Sequence, residues 1–212
     1  MKIICKTTLL AATPPFAGTE IDILVDDGLV FGLNRITLAS DSAVVDWGDG
    51  IRETFTATGE AVHTYPAPGN YTVRISDDIS QPSFSTTSAT SEIVLVYMPM
   101  IRAIRFVNAQ NLGAIPVSAF KGCVNMTSFT GDLPNVVKIG SSAFVDCRSL
   151  ASPLHFPEVV SLAGSGDALP FTGCIALREI YFSEEYRDAI EKKEPYRSNP
   201  QLGAPNAVVL FE

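Results

Sequence analysis

Three copies of one short pattern constrain this chain most: Ala-Phe-Lys-Gly-Cys ending at Cys123, Ala-Phe-Val-Asp-Cys at Cys147 and Pro-Phe-Thr-Gly-Cys at Cys174, spaced by 24 and 27 residues. A unit this short cannot bury an apolar face alone. Copies must stack and share one continuous core, which is the logic of a solenoid. Three residues after each cysteine stands Met126, Leu150 or Leu177, and a strand-like pair follows: Phe129 with Leu133, Leu154 with Phe156, Ile180 with Phe182. Upstream, Ile115, Ile139 and Leu162 hold the same relative place, with a four-residue insertion, Gly164–Asp167, in the third copy. Ile101–Phe106 matches Leu177–Phe182 position for position and reads as a first, partial rung.

Stacking has consequences for the side chains. Phe120, Phe144 and Phe171 are expected to form one internal ladder, and the three cysteines another, as small buried thiols. Parallel stacked side chains disfavour the disulfide torsion, so free thiols are expected. With Met126 for Leu, Pro170 for Ala and Leu162-Ala163-Gly164 for Ile-Gly as departures, the series A-F-x-x-C-x-x-L with Ile139-Gly-Ser-Ser-Ala-Phe144 resembles the BspA-type leucine-rich repeats of bacterial surface proteins over residues 101–182. The resemblance implies an extracellular or cell-surface location. The N-terminal segment MKIICKTTLLAATPPFAG is no clear signal peptide, because Lys6 and two threonines split its apolar part; Lys2–Thr7 reads as a first β-strand.

The first half reads differently. Short β-branched runs, Ile21–Val25, Ile36–Leu38, Val44–Trp47, Ile51–Phe55, Tyr71–Ile75 and Ile93–Tyr97, are separated by Gly, Pro, Asp and Asn turns, which predicts an all-β sandwich. Val45-Asp-Trp-Gly-Asp-Gly50 followed by His63-Thr-Tyr-Pro-Ala-Pro-Gly-Asn-Tyr-Thr-Val73 resembles the polycystic-kidney-disease (PKD) type of immunoglobulin-like domain. In that motif Trp47 is expected to anchor the core, Gly48-Asp49-Gly50 to make a tight turn, and His63 to be a hydrogen-bonding residue of the fold. Asp46 and Asp49 are weighed as calcium ligands but read as backbone caps, since calcium takes six or more oxygens that this spacing does not assemble.

Charge supports a division. Residues 1–97 carry five Lys/Arg against twelve Asp/Glu, and residues 98–212 carry ten against eleven. The expected architecture is mainly β: an immunoglobulin-like β-sandwich over 1–97, then a leucine-rich-repeat solenoid over 98–212. Its C-terminal cap, 183–212, combines a helix begun by Ser183 and stopped by Pro195 with a strand, Ala207–Phe211.

Composition narrows the function classes. Of 212 residues 46% are hydrophobic and 18% charged, enough for a real core, and no run reaches the ~18 apolar residues of a membrane span. A net charge of −8 with no basic cluster makes nucleic acid an unsuited partner. No Walker loop, H-E-x-x-H, G-x-G-x-x-G or C-x-x-C occurs, so no cofactor, zinc or catalytic residue is assigned. The near match to G-x-S-x-G at Ala163–Asp167 lacks the strand-to-helix context and reads as a loop insertion.

What remains is the outward face of the solenoid strands. Period-two alternation predicts one outward row of Arg105, Thr130, His155, Tyr181 and Leu210, and a second of Ala103, Ser128, Pro153, Glu179 and Val208. Insertions at Gly131-Asp132 and near Pro153 interrupt the register. The first row is the expected binding face of a non-catalytic adhesion or binding protein that takes a protein or carbohydrate ligand; the alternative is a structural part of a cell-surface or phage-like assembly.

Overall fold

The computed structural model describes residues 16–27, 29–78, 98–164 and 168–212. The expected strands at Lys2–Thr7 and Ile93–Tyr97, and most of the third-copy insertion, lie outside them. Among the described residues the chain is mainly β: β1 (Gly18–Val25), β2 (Val30–Ile36), β3 (Ala43–Asp46), β4 (Arg52–Phe55), β5 (Gly59–Thr64), β6 (Gly69–Ser76), β7 (Ile101–Val107), β8 (Ser128–Gly131), β9 (Lys138–Ile139), β10 (Leu154–Phe156), β11 (Ser161–Leu162), β12 (Glu179–Phe182) and β13 (Val208–Phe211). The α-helix among them is one short piece, α1 (Arg187–Glu191), preceded by a 3-10 turn that Ser183 caps by accepting from the Glu185 N–H at 3.3 Å.

The C-terminal part stacks like a β-solenoid. On one side β10, β12 and β13 pair in parallel, with Leu154, Ile180 and Val209 in one row and Phe156, Phe182 and Phe211 in the next. On the other side β9 and β11 pair in parallel and Ile115 bridges to Ile139, so Ile115, Ile139 and Leu162 align. Between these two sides the A-F-x-x-C segments stack through main-chain bonds from Phe120 N to Ala143 O (2.7 Å), Phe144 N to Pro170 O (2.7 Å) and Phe171 N to Leu202 O (3.1 Å). The expected phenylalanine ladder is present and buried: Phe120 and Phe144 ring centroids are 5.1 Å apart, Phe144 and Phe171 5.3 Å. Cys123, Cys147 and Cys174 are buried free thiols, with Sγ of Cys147 and Cys174 donating to the Phe120 and Phe144 carbonyls. Burial and the Cys123 thiol push the Cys147 thiol up; contact with Cys147 and burial do the same to Cys174.

The residue before each cysteine explains a detail of the pattern. Gly122, Asp146 and Gly173 all have positive φ (84°, 60° and 79°), a backbone region that glycine enters freely and aspartate tolerates. Gly203 has φ 90° and precedes the buried Ala204, whose N–H bonds to Gln201 O as Cys174 N–H bonds to Phe171 O. Residues 201–211 are therefore one more rung, in which Ala204 continues the cysteine row and Ala207 the leucine row. Phe211 is covered by Tyr196 and by the Arg187 guanidinium, 4.4 Å above its ring.

The first half contributes an antiparallel sheet and a β2–β5 pair. Strand alternation follows the sequence: Ile21, Ile23 and Val25 of β1, Val45 of β3, and Val73 and Ile75 of β6 point into the same core as Phe31, Leu33 and Ala61 of the β2–β5 pair. Trp47 is fully buried, stacks on His63 with ring centroids 5.0 Å apart, and accepts from the Tyr65 hydroxyl through its carbonyl at 3.0 Å.

The division at residue 98 does not interrupt the sheet. Strand order is β4-β3-β6-β1-β7-β8, so β7, the first solenoid strand, pairs antiparallel with β1 along Gly18 to Ile23 and parallel with β8 on its other side. The Asp77 carboxylate adds a second tie, accepting from the backbone N–H groups of Gln110 (3.0 Å) and Asn111 (3.2 Å).

Candidate functional site

Strand pairing decides which outward residues are neighbours. Arg105 sits opposite Thr130, Ala103 opposite Ser128, His155 opposite Tyr181, and Tyr181 opposite Leu210. Arg105, Thr130 and His155 are exposed, Tyr181 and Leu210 half-buried. The expected row therefore exists as a geometric row in two pieces, one on β7–β8 and one on β10–β12–β13.

The break lies between β8 and β10. No ladder joins them; instead Ala151 N and Ser152 N both donate to Thr127 O (3.1 and 3.3 Å), while Ser152 Oγ accepts from Phe129 N at 3.0 Å. Pro153, at the expected pairing position, has no N–H to give, so a serine hydroxyl stands in for a ladder bond. At the far end of β8, Gly131 has φ 105° and an added Cβ there would meet Phe106 O at 2.0 Å, so the chain turns away where no side chain fits.

Arg105 has a different setting from the one expected of a binding residue. Opposite it on β1 is Glu20, and opposite Glu20 on β6 is Arg74. The Glu20 carboxylate bridges both guanidiniums, contacting Arg105 and taking Arg74 Nε at 2.9 Å. The same outward row continues through Asp46 on β3 to Arg52 on β4, paired at 2.8 Å. Six strands thus carry Arg52, Asp46, Arg74, Glu20, Arg105 and Thr130 across one face, with charges of alternating sign. Arg105 is engaged by this ladder, which the sequence alone did not reveal because Glu20 lies 85 residues away.

The second piece is aromatic. His155 and Tyr181 stack with ring centroids 4.5 Å apart and planes 3° from parallel. His155 Nδ1 lies 3.2 Å from Glu212 Oε1. Partial desolvation, Glu179 and Glu212 together hold the Tyr181 hydroxyl above its ordinary value, and its hydrogen bond goes to Glu179. Two clefts flank the pair. One of about 280 Å³ is lined by His155, Tyr181, Ser183 and Glu212. The other, about 380 Å³, opens at the β8–β10 break between His155 and the loops carrying Asn108, Gln110 and Asp132.

In the first half, the weighed calcium ligands are used by the fold. Asp46 accepts from Gly48 N and Arg52 Nε, and Asp49 accepts from Ile51 N at 3.0 Å and meets His63 Nε2 at 2.8 Å. Burial pushes the Asp49 carboxyl up, but His63 and the Ile51 N–H outweigh it and leave the group below its ordinary 3.8. Comparison with protein-family models, curated proteins and solved structures finds no match to this chain.

Proposed function

We propose that this chain is a non-catalytic binding protein of the adhesion class, using the outward face of the stacked strands at His155 and Tyr181 to hold a protein or glycan ligand. One observation carries the reading: a coplanar stack of the exposed His155 on the half-buried Tyr181, whose polar atoms meet Glu212 and Glu179 and which is flanked by two clefts. Aromatic side chains of this kind supply contact area at low entropic cost. Arg105 is better read as a residue of the sheet than of the ligand site, and the binding face contracts to the β10–β12–β13 piece.

In the same reading the C-terminal part is a BspA-type leucine-rich repeat and the N-terminal part a PKD-like β-sandwich that serves as spacer or docking module at a cell surface. The left-handed Gly/Asp before each cysteine, and the buried Trp47 with His63 and Tyr65 around it, support these two assignments. A second reading, a structural part of a larger assembly, draws on the Arg52-to-Arg105 ladder, whose charges are spent on each other. Arrays of glycans and of surface proteins probed with the purified chain separate the two. The binding reading expects specific hits that His155→Ala/Tyr181→Ala abolishes, whereas an assembly part gives none and self-associates instead.

A further inference from the structure

The wider cleft has two walls of different chemistry. Tyr181, on β12, covers one face of the His155 ring; β8 neighbours β10 on its other side without joining its sheet, so the second ring face turns toward the β8–β10 break, where His155 lines the cleft. The opposite wall is built from Asn108, Gln110 and Asp132, and Glu158 closes the His155 side. The backbone that carries Asn108 and Gln110 is fixed in place. Asn108 holds a left-handed φ of 49°, the Gln110 N–H is tied to Asp77, and the Gln110 carbonyl accepts from Asn135 Nδ2 at 2.6 Å. Leu133, Pro134 and Pro157 supply apolar surface between the walls. At about 380 Å³ the cleft falls within the ~300–1,000 Å³ of small-ligand sites.

Donor and acceptor counting selects the ligand chemistry. The carboxamides of Asn108 and Gln110 each offer two N–H donors and a carbonyl acceptor, while Asp132 and Glu158 are acceptors only. Among the described residues no Lys or Arg lines the cleft. A sulfated, phosphorylated or uronic-acid ligand brings acceptors and negative charge against two carboxylates. A Lys or Arg side chain brings donors only and leaves the carboxamide N–H groups unmatched. A hydroxyl both donates and accepts, and the C–H face of a sugar ring is flat and apolar enough to lie on an imidazole face.

From this we infer that the β8–β10 cleft is a subsite for an uncharged pyranose, stacked on the free face of His155 with its hydroxyls bridging Asn108, Gln110, Asp132 and Glu158. The inference rests on the binding reading above and narrows its ligand from protein or glycan to neutral glycan. The test is calorimetric titration of the full chain with neutral hexa-oligosaccharides (cello-, manno-, xylo- and N-acetylglucosamine series), with heparin oligosaccharides, and with an Arg/Lys-rich peptide.

At least one neutral series is expected to bind, and neither heparin nor the peptide. His155→Ala and Gln110→Ala are each expected to weaken that binding tenfold or more with an unchanged thermal midpoint. Binding of heparin or of the peptide alone overturns the uncharged-sugar assignment. Neutral-sugar binding that neither variant alters overturns the location. If no sugar binds but a protein from the surface-protein array does, and His155→Ala/Tyr181→Ala abolishes it, the glycan inference fails while the binding reading stands. If arrays and titrations all return nothing, both fail.

Discussion

The two halves of the molecule apply the same strand alternation to opposite ends. In the antiparallel half, outward positions carry charges of alternating sign that neighbouring strands neutralise, as Glu20 does between Arg74 and Arg105. In the parallel half, stacking brings like residues into register, and the inward rows become ladders of Phe and Cys while the outward row becomes the His155–Tyr181 stack. Only the inward rows of the repeat echo; its outward row, Arg105, Thr130, His155, Tyr181 and Leu210, changes from strand to strand. On the larger sheet the outward charges neutralise one another, whereas the outward aromatic pair of the solenoid leaves a surface presented, which is why the binding face is sought there.

The sharpest way to break this contrast is to remove an echoed residue from the core. Phe144 is fully buried and lies against Phe120, Phe129, Phe156 and Phe171. Phe144→Ala is expected to cost about 3–5 kcal/mol, through lost transfer energy and the cavity left between two rungs. Denaturant unfolding measured by far-UV circular dichroism checks it. Because Trp47 is the single tryptophan of the chain and lies in the other half, its emission reports whether the first half unfolds with the solenoid. Coincident transitions are expected, since β7 belongs to both; a Trp47 transition unmoved by Phe144→Ala would make the halves independent.

Much of this was legible in the sequence, and the failures have identifiable causes. The A-F-x-x-C spacing led to the Phe and Cys ladders, the Ile115–Ile139–Leu162 alignment and the outward pairs, because a repeat encodes its own register. The further rung at Gln201–Phe211 shows in the sequence only as a cap strand, Ala207–Phe211, because Ala204 and Ala207 stand where the cysteine and leucine would be; its surviving mark is the Gly203-Ala204 pair. Strands β2 and β5 leave a weak sequence signal because Val30–Ile36 contains Gly32 and Asn34, and Gly59–Thr64 begins at a glycine and carries Glu60. The engagement of Arg105 by Glu20 and the polar wall at Asn108 and Gln110 depend on strand order and loop placement, which no local pattern carries.

A smaller effect is expected from the charge ladder. Glu20 is nearly buried, while Arg74 and Arg105 keep about half or more of their side-chain surface in water, at 47% and 63%. Glu20→Gln keeps the shape and removes the charge, and is expected to cost about 1–2 kcal/mol, below the upper end for hydrogen bonds to charged groups because the partners are solvated. The loss is expected to shrink in 1 M salt, where the Debye length is about 3 Å. Thermal melts of both proteins at low and high salt measure this. A cost that does not respond to salt would mean that packing, not charge, holds the β1–β7 junction.

The smallest expected difference is one of acid sensitivity, and it also divides the halves. The solenoid interior is built on thiols and phenylalanines, whereas the first half keeps Asp49 nearly buried against His63 beneath Trp47. With the folded Asp49 carboxyl below its ordinary 3.8, ionised Asp49 stabilises the fold at every pH above about 4. That contribution fades as pH falls from there through the depressed folded value, because the unfolded chain takes up the proton first. Asp49→Asn keeps an oxygen for the Ile51 N–H but loses the charge. The variant is expected to be less stable at pH 7 and to lose less than the wild type between pH 4 and pH 2. Trp47 emission during urea unfolding at each pH follows the half concerned. Parallel acid limbs in the two proteins would show that the Asp49–His63 contact does not set the acid response of this half.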